Sequence, residues 1–159
     1  MVFIDARSTL HPIHSESTGL TGFFEGDVDV EGLLDLSVPP RASLEMRIAL
    51  LSSGNPLYDR EMKRRVDAKR FPAITAELTD MKPAGAAGRY TTEGDVTFRG
   101  VTQRVTDELV VSVPDAGTIV FQGEHDFNLP DFGMEPPKIM MLKVHPDVKI
   151  RVHIVAKAG

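Results

Sequence analysis

The sequence predicts an all-β fold, an antiparallel sandwich or barrel, interrupted by a single helix. Three observations carry this. Apolar and polar residues alternate along most of the chain, the period of a strand that is buried on one face and wet on the other. Turn formers separate these segments at hairpin spacing. One charged segment, residues 55–74, breaks the alternation and repeats every four residues instead.

Taken in order, residues 21–30 alternate weakly and end before Pro39-Pro40. Residues 43–51 alternate cleanly, with Leu44, Met46, Ile48 and Leu50 on one face and Ser43, Glu45 and Arg47 on the other. Asn55 is a favoured N-cap, and Pro56 falls at the first helical position, where its missing N–H costs nothing. Tyr58, Met62 and Val66 then form an apolar stripe over 56–66, with Leu57 beside it. Asp59 and Glu61 lie early and Lys63, Arg64 and Arg65 late, which suits the helix dipole. Asp59–Lys63 and Glu61–Arg65 are spaced for i,i+4 pairs. Pro72 stops the helix and pushes Phe71 toward an extended conformation. Eleven helical residues reach roughly 16 Å, near the width of a small barrel, so the stripe is expected to face the sheet and close one end. Strands follow at 73–81, 90–98, 105–113, 118–127 and 148–154, divided by Pro83 to Gly88, Arg99-Gly100, Pro114 to Gly117 and Pro136-Pro137.

Composition bounds the function. At 159 residues, with no internal repeat or linker, residues 1–159 read as one domain. A net charge of −5 offers no electrostatic footprint for nucleic acid. The absence of cysteine removes disulfides, thiolate metal sites and thiol nucleophiles. No apolar run approaches the ~20 residues of a membrane span, so stable membrane insertion is not expected. MVFIDARSTL shows no basic stretch leading into an apolar one, which predicts a cytoplasmic protein.

Catalytic patterns are sparse. Asp131-Phe132-Gly133 lacks the phosphate loop and catalytic loop that give this triplet a magnesium role, and reads as a turn. The five histidines include no HExxH arrangement, and no serine sits in GxSxG. No metal or cofactor is expected. His125 falls in phase with Ile119, Phe121 and Phe127, and with Asp107 it is the main candidate for a titratable group facing inward. Arg60, Lys63, Arg64, Arg65, Lys69 and Arg70 form a basic cluster that a solvated helix face explains, or that could hold a polar headgroup.

Three segments resemble the YceI-like family of lipocalin-like polyisoprenoid-binding barrels: SSGNPLYDREMKRRVDAKRFPAI, YTTEGDVTFRGVTQRV and FNLPDFGMEPPKIMMLKVHPDVKIRVHIVA. They present, in order, an Arg/Asp-rich helix before Phe-Pro, a Gly-Asp-hydrophobic-Thr strand with its Arg-Gly turn, and a late Asp-Phe-Gly. The resemblance implies a lipocalin-like, eight-stranded antiparallel β-barrel that holds a long isoprenoid or lipid chain, such as a polyprenyl chain or an isoprenoid quinone. It attaches no enzymatic activity, and it implies a homodimer. Many relatives carry a periplasmic leader, and this sequence departs from them there.

On that reading, Met46, Ile48, Ile74, Leu78 and Phe98 line the ligand together with Leu109, Val111, Ile119, Phe121 and Ile150. Met140 and Met141 are expected near the entrance, where flexible thioethers adapt to a ligand. A vacant interior of ~300 Å³ would cost about 7 kcal/mol, against ~5–15 kcal/mol for a whole domain. The barrel is therefore either packed by its own side chains or occupied. The chain accordingly reads as a carrier or sequestering protein for an apolar chain; the alternatives are a small-barrel enzyme on an apolar substrate and a filled barrel serving as an interaction domain.

Overall fold

The computed structural model describes residues 2–8, 12–29, 33–135, 138–139 and 142–158. Its strands are β1 (Val2–Ser8), β2 (Pro12–Ser17), β3 (Leu20–Glu25), β4 (Asp27–Val28), β5 (Leu34–Asp35) and β6 (Arg41–Arg47), then, after helix α1 (Pro56–Arg65), β7 (Ala73–Pro83), β8 (Arg89–Phe98), β9 (Val101–Asp115), β10 (Thr118–Asn128), β11 (Lys138–Ile139) and β12 (Leu142–Lys157). One antiparallel sheet runs in the order β2-β1-β12-β10-β9-β8-β7-β6-β3, with β11 paired to β12 and β4–β5 forming a separate hairpin. The all-β antiparallel fold with one helix is as expected. The continuous path holds nine strands rather than eight, because β1 folds back on β2 and adds a strand beyond β12. Among the described residues no ladder joins β2 to β3, so the curled sheet is a half-barrel.

The strand expected over 43–51 ends early. Past Arg47 the chain turns through a 3-10 segment, Ile48–Leu50, on its way to the helix. The Ile48 amide donates to the Pro72 carbonyl at 2.9 Å, closing the base of this excursion. Ile48 stays buried, but Leu50 is thrown outward and is 52% exposed.

The helix is built as its sequence dictates. Asn55 Oδ1 accepts from the amides of Leu57 at 3.0 Å and Tyr58 at 3.3 Å. Tyr58 and Met62 pack against Val144 and Val148, and Val66 is buried at the C-cap. Leu57 is exposed. Asp59 does not form the expected pair with Lys63; it turns back to accept from the Ser53 amide (2.9 Å) and hydroxyl (2.6 Å). Glu61 pairs with Arg64 at 3.2 Å.

Two family motifs prove to be parts of one brace. Arg99 and Gly100 have φ of 53° and 74°, the positive pair that a two-residue hairpin turn between β8 and β9 requires. From this turn Arg99 Nη1 donates to the Gly133 carbonyl at 2.7 Å. Gln103 Nε2 donates to the Asp131 carbonyl at 2.8 Å. Asp131-Phe132-Gly133 is thus a 3-10 turn held by the β8–β9 hairpin, and Phe132 is driven against Phe98 and Phe127.

The core is packed unevenly. At the end covered by β4–β5, Leu34, Met81, Tyr90, Val111 and Phe121 are buried together, with Phe24, Leu36 and Leu78 against them. The Leu34 amide donates to the Tyr90 hydroxyl at 3.1 Å, and the Phe24 and Phe121 rings lie 4.9 Å apart. At the helix end, Ile48, Val66, Phe98, Phe132 and Met134 form a second cluster.

Two stability measurements follow. Asn55→Ala removes the cap of α1 and is expected to cost ~0.5–2 kcal/mol, read by urea unfolding with an unchanged m-value. Phe121→Ala, in the packed end, is expected to cost ~3–5 kcal/mol. A loss below ~1 kcal/mol would mean that this end is not close-packed.

Candidate ligand-binding cavity

Toward the helix end the curled sheet leaves space, open in part to solvent, that its own side chains do not fill. One cavity of about 110 Å³ lies under α1 and is bounded by Met62 and Val66 of the helix and by Ile48, Phe98, Phe132 and Met134. A second, of about 160 Å³, sits deeper among Leu44, Met46, Val105, Leu109 and Val152. Ile74, Val96, Phe127 and Ile150 belong to the walls of both, so the two spaces adjoin.

The residues expected to line a ligand divide by height along the barrel. Ile48, Ile74, Phe98 and Ile150 border the cavity under the helix, while Met46 and Leu109, again with Ile74 and Ile150, border the deeper one. Leu78, Val111, Ile119 and Phe121 point inward but belong to the packed end and border neither cavity. Met140 and Met141 lie outside the described residues. The walls also use side chains that the expected set omits: Met62 and Val66 from the helix, Phe127, Leu129 and Phe132 around the brace, and Val144 and Val148 of β12. Tyr58, Met62 and Val66 were legible as an inward stripe, and Val148 was in phase with Ile150. Phe132 follows no strand period and gave no such signal, whereas Met134 belongs to the Pro-flanked apolar stretch whose methionines suit a binding mouth.

Polar groups are few. Asp59 and Lys63 meet the upper cavity from the helix. Asp107 and His125 meet the lower one, with Nδ1 of the histidine 2.5 Å from a carboxylate oxygen. Burial pushes the Asp107 carboxyl above its ordinary value of 3.8, opposed by the hydrogen bond and charge of His125. Among the described residues no group of three or more acidic and histidine side chains could hold a metal ion. No helix of the described residues is long and apolar enough to cross a membrane.

A curled antiparallel sheet around an apolar cavity, with one helix over an end, defines a small barrel suited to a hydrophobic ligand. The YceI-like domain matches residues 4–156, and the chain belongs to that family. No curated protein matches the sequence significantly. Among solved structures, BcnA of Burkholderia cenocepacia is 20% identical with a TM-score of 0.78, over 98% of this chain and 96% of that one. A polyisoprenoid binding domain from Saccharophagus degradans, implicated in plant cell wall breakdown, is 14% identical with a TM-score of 0.76, over 99% and 94%. A Campylobacter jejuni YCEI protein is 14% identical with a TM-score of 0.72, over 91% and 84%. At these identities the likeness is one of fold.

Replacing Ile74 in the shared wall tests whether the space is open. Ile74→Phe adds volume that a filled core would resist at ~1–3 kcal/mol. Here it is expected to unfold within ~1 kcal/mol of the parent in urea, because the ring enters existing space.

Proposed function

We propose that the protein binds one long isoprenoid or lipid chain in the hollow half of the barrel and acts as a carrier or sequestering protein rather than an enzyme. The observation that carries this is the pair of adjoining cavities, walled by aliphatic and aromatic side chains across the full width of the sheet. Each methylene moved from water into such a wall contributes ~0.8 kcal/mol, so a long chain gains affinity without specific contacts. The Saccharophagus neighbour, named for polyisoprenoid binding, supports the same ligand class. The cavities weigh against a filled interior. An enzyme reading has one observation in its favour, the Asp107–His125 pair, with Thr75 the hydroxyl side chain that borders the same cavity.

The test is uptake of a C20 prenyl chain by delipidated protein, followed by native mass spectrometry and titration. Val96→Phe, at the junction of the two cavities, displaces about two methylenes of ligand and is expected to weaken binding on the order of tenfold. Failure of the parent protein to take up any long apolar chain would overturn the proposal. The homodimer implied by the family resemblance belongs to the same reading, and sedimentation that shows only a 17.4 kDa species would remove it.

A further inference from the structure

The Asp107–His125 pair stands where the wall of the barrel changes character. β9 and β10 are laddered from Thr118–Asp115 to Gln122–Val110, and there the backbone pairing stops. Both strands continue: β9 stays paired to β8 as far as Val101, and β10 stays paired to β12 as far as Asn128. Across this seam side chains replace the ladder. His125 Nδ1 meets Asp107 Oδ1 at 2.5 Å, and nearer the brace Gln103 reaches the Asp131 carbonyl. The two side chains remain 30% and 26% exposed, so water reaches a pair that also borders the deeper cavity.

The geometry sets the chemistry on offer. With Asp107 ionised the carboxylate only accepts, the proton of this hydrogen bond sits on Nδ1, and an imidazole in its neutral form presents a lone pair on Nε2. The Phe127 ring, 4.5 Å away and edge-on, fixes the orientation of the imidazole. An acceptor in an apolar wall is matched by an O–H donor. An anionic head is disfavoured, because the walls of this cavity bring the Asp107 carboxyl and no lysine or arginine.

We propose that the Asp107–His125 pair anchors the head of the ligand and selects an uncharged hydroxyl, that of a long-chain alcohol or phenol, with the tail running past Ile74, Val96 and Phe127 into the cavity under α1. This rests on the apolar-chain reading above and names the chemistry of the head. The seam gives the hydroxyl its place: the pair is buried enough to discriminate and wet enough to stay polar.

The experiment compares three probes of one chain length, all-trans-geranylgeraniol, its methyl ether and its monophosphate. The wild-type protein is expected to bind the alcohol about 3- to 10-fold more tightly than the ether, the range of one net hydrogen bond, and more tightly than the phosphate. In the double variant His125→Phe/Asp107→Leu, which removes both partners so that neither is left unpaired, the alcohol-to-ether ratio is expected to fall to about one. Equal affinities for alcohol and ether in the wild type, or tightest binding of the phosphate, overturn the anchor while chain binding stands. No binding of any of the three overturns the carrier reading itself. Should the double variant not fold, NMR of the imidazole nitrogens in the wild type decides: the Nε2 resonance of His125 shifts with the alcohol and not with the ether, and a response to neither overturns the proposal.

Discussion

Apolar side chains that a curled sheet turns inward must touch one another or a guest, and in this protein they meet fully at one end only. Leu34 and Phe24 are brought by the β3–β5 region onto Tyr90, Val111 and Phe121, and there close packing is achieved. Toward the helix the same strands carry inward residues of similar size, but nothing crosses the middle to meet them. Interiors elsewhere reach the density of organic crystals. The hollow half is therefore held open by its surroundings. The sheet is tied above and below the gap and cannot collapse into it.

The ties explain motifs that otherwise suggest chemistry. Arg99-Gly100 and Asp131-Phe132-Gly133 lie far apart in sequence and are locked together through the Arg99–Gly133 and Gln103–Asp131 hydrogen bonds. Their product is a fixed position for Phe132, between Phe98 and Phe127 at the margin of the upper cavity. With α1 seated through Tyr58, Met62 and Val66, the brace defines the mouth of the barrel. These residues shape a cavity.

Much of this was legible in the chain because local rules decide it. Period-two alternation located β3, β6 to β10 and the later part of β12, and Asn55-Pro56 marked the observed start of the helix, whose end falls one residue before the expected one. The β1–β2 hairpin was not legible, since its pairing with β12 is set by a partner more than 130 residues away in the chain. Alternation also identified inward residues without saying what they would meet. Val111 and Asp107 share a face of β9, yet one is buried in the packed end and the other borders the cavity. That difference comes from Leu34 and Phe24, which arrive from a distant part of the sequence. The end of the β9–β10 ladder leaves no trace in composition or spacing either. His125 was readable as inward, and its carboxylate partner was not assignable until the strands were laid side by side.

Uneven packing makes the molecule uneven in local stability. The strands around Phe121 and Tyr90 carry the densest burial, so their amides lose protection from solvent exchange only when the whole chain unfolds. In the upper half, α1 has no fully buried residue along its length, and one side of β10 lacks backbone partners past Gln122. Those amides are released by smaller, local excursions. A chain bound in the hollow half stabilises the closed form over the locally opened ones, so occupancy narrows the difference between the two ends and makes the barrel more nearly a single cooperative unit.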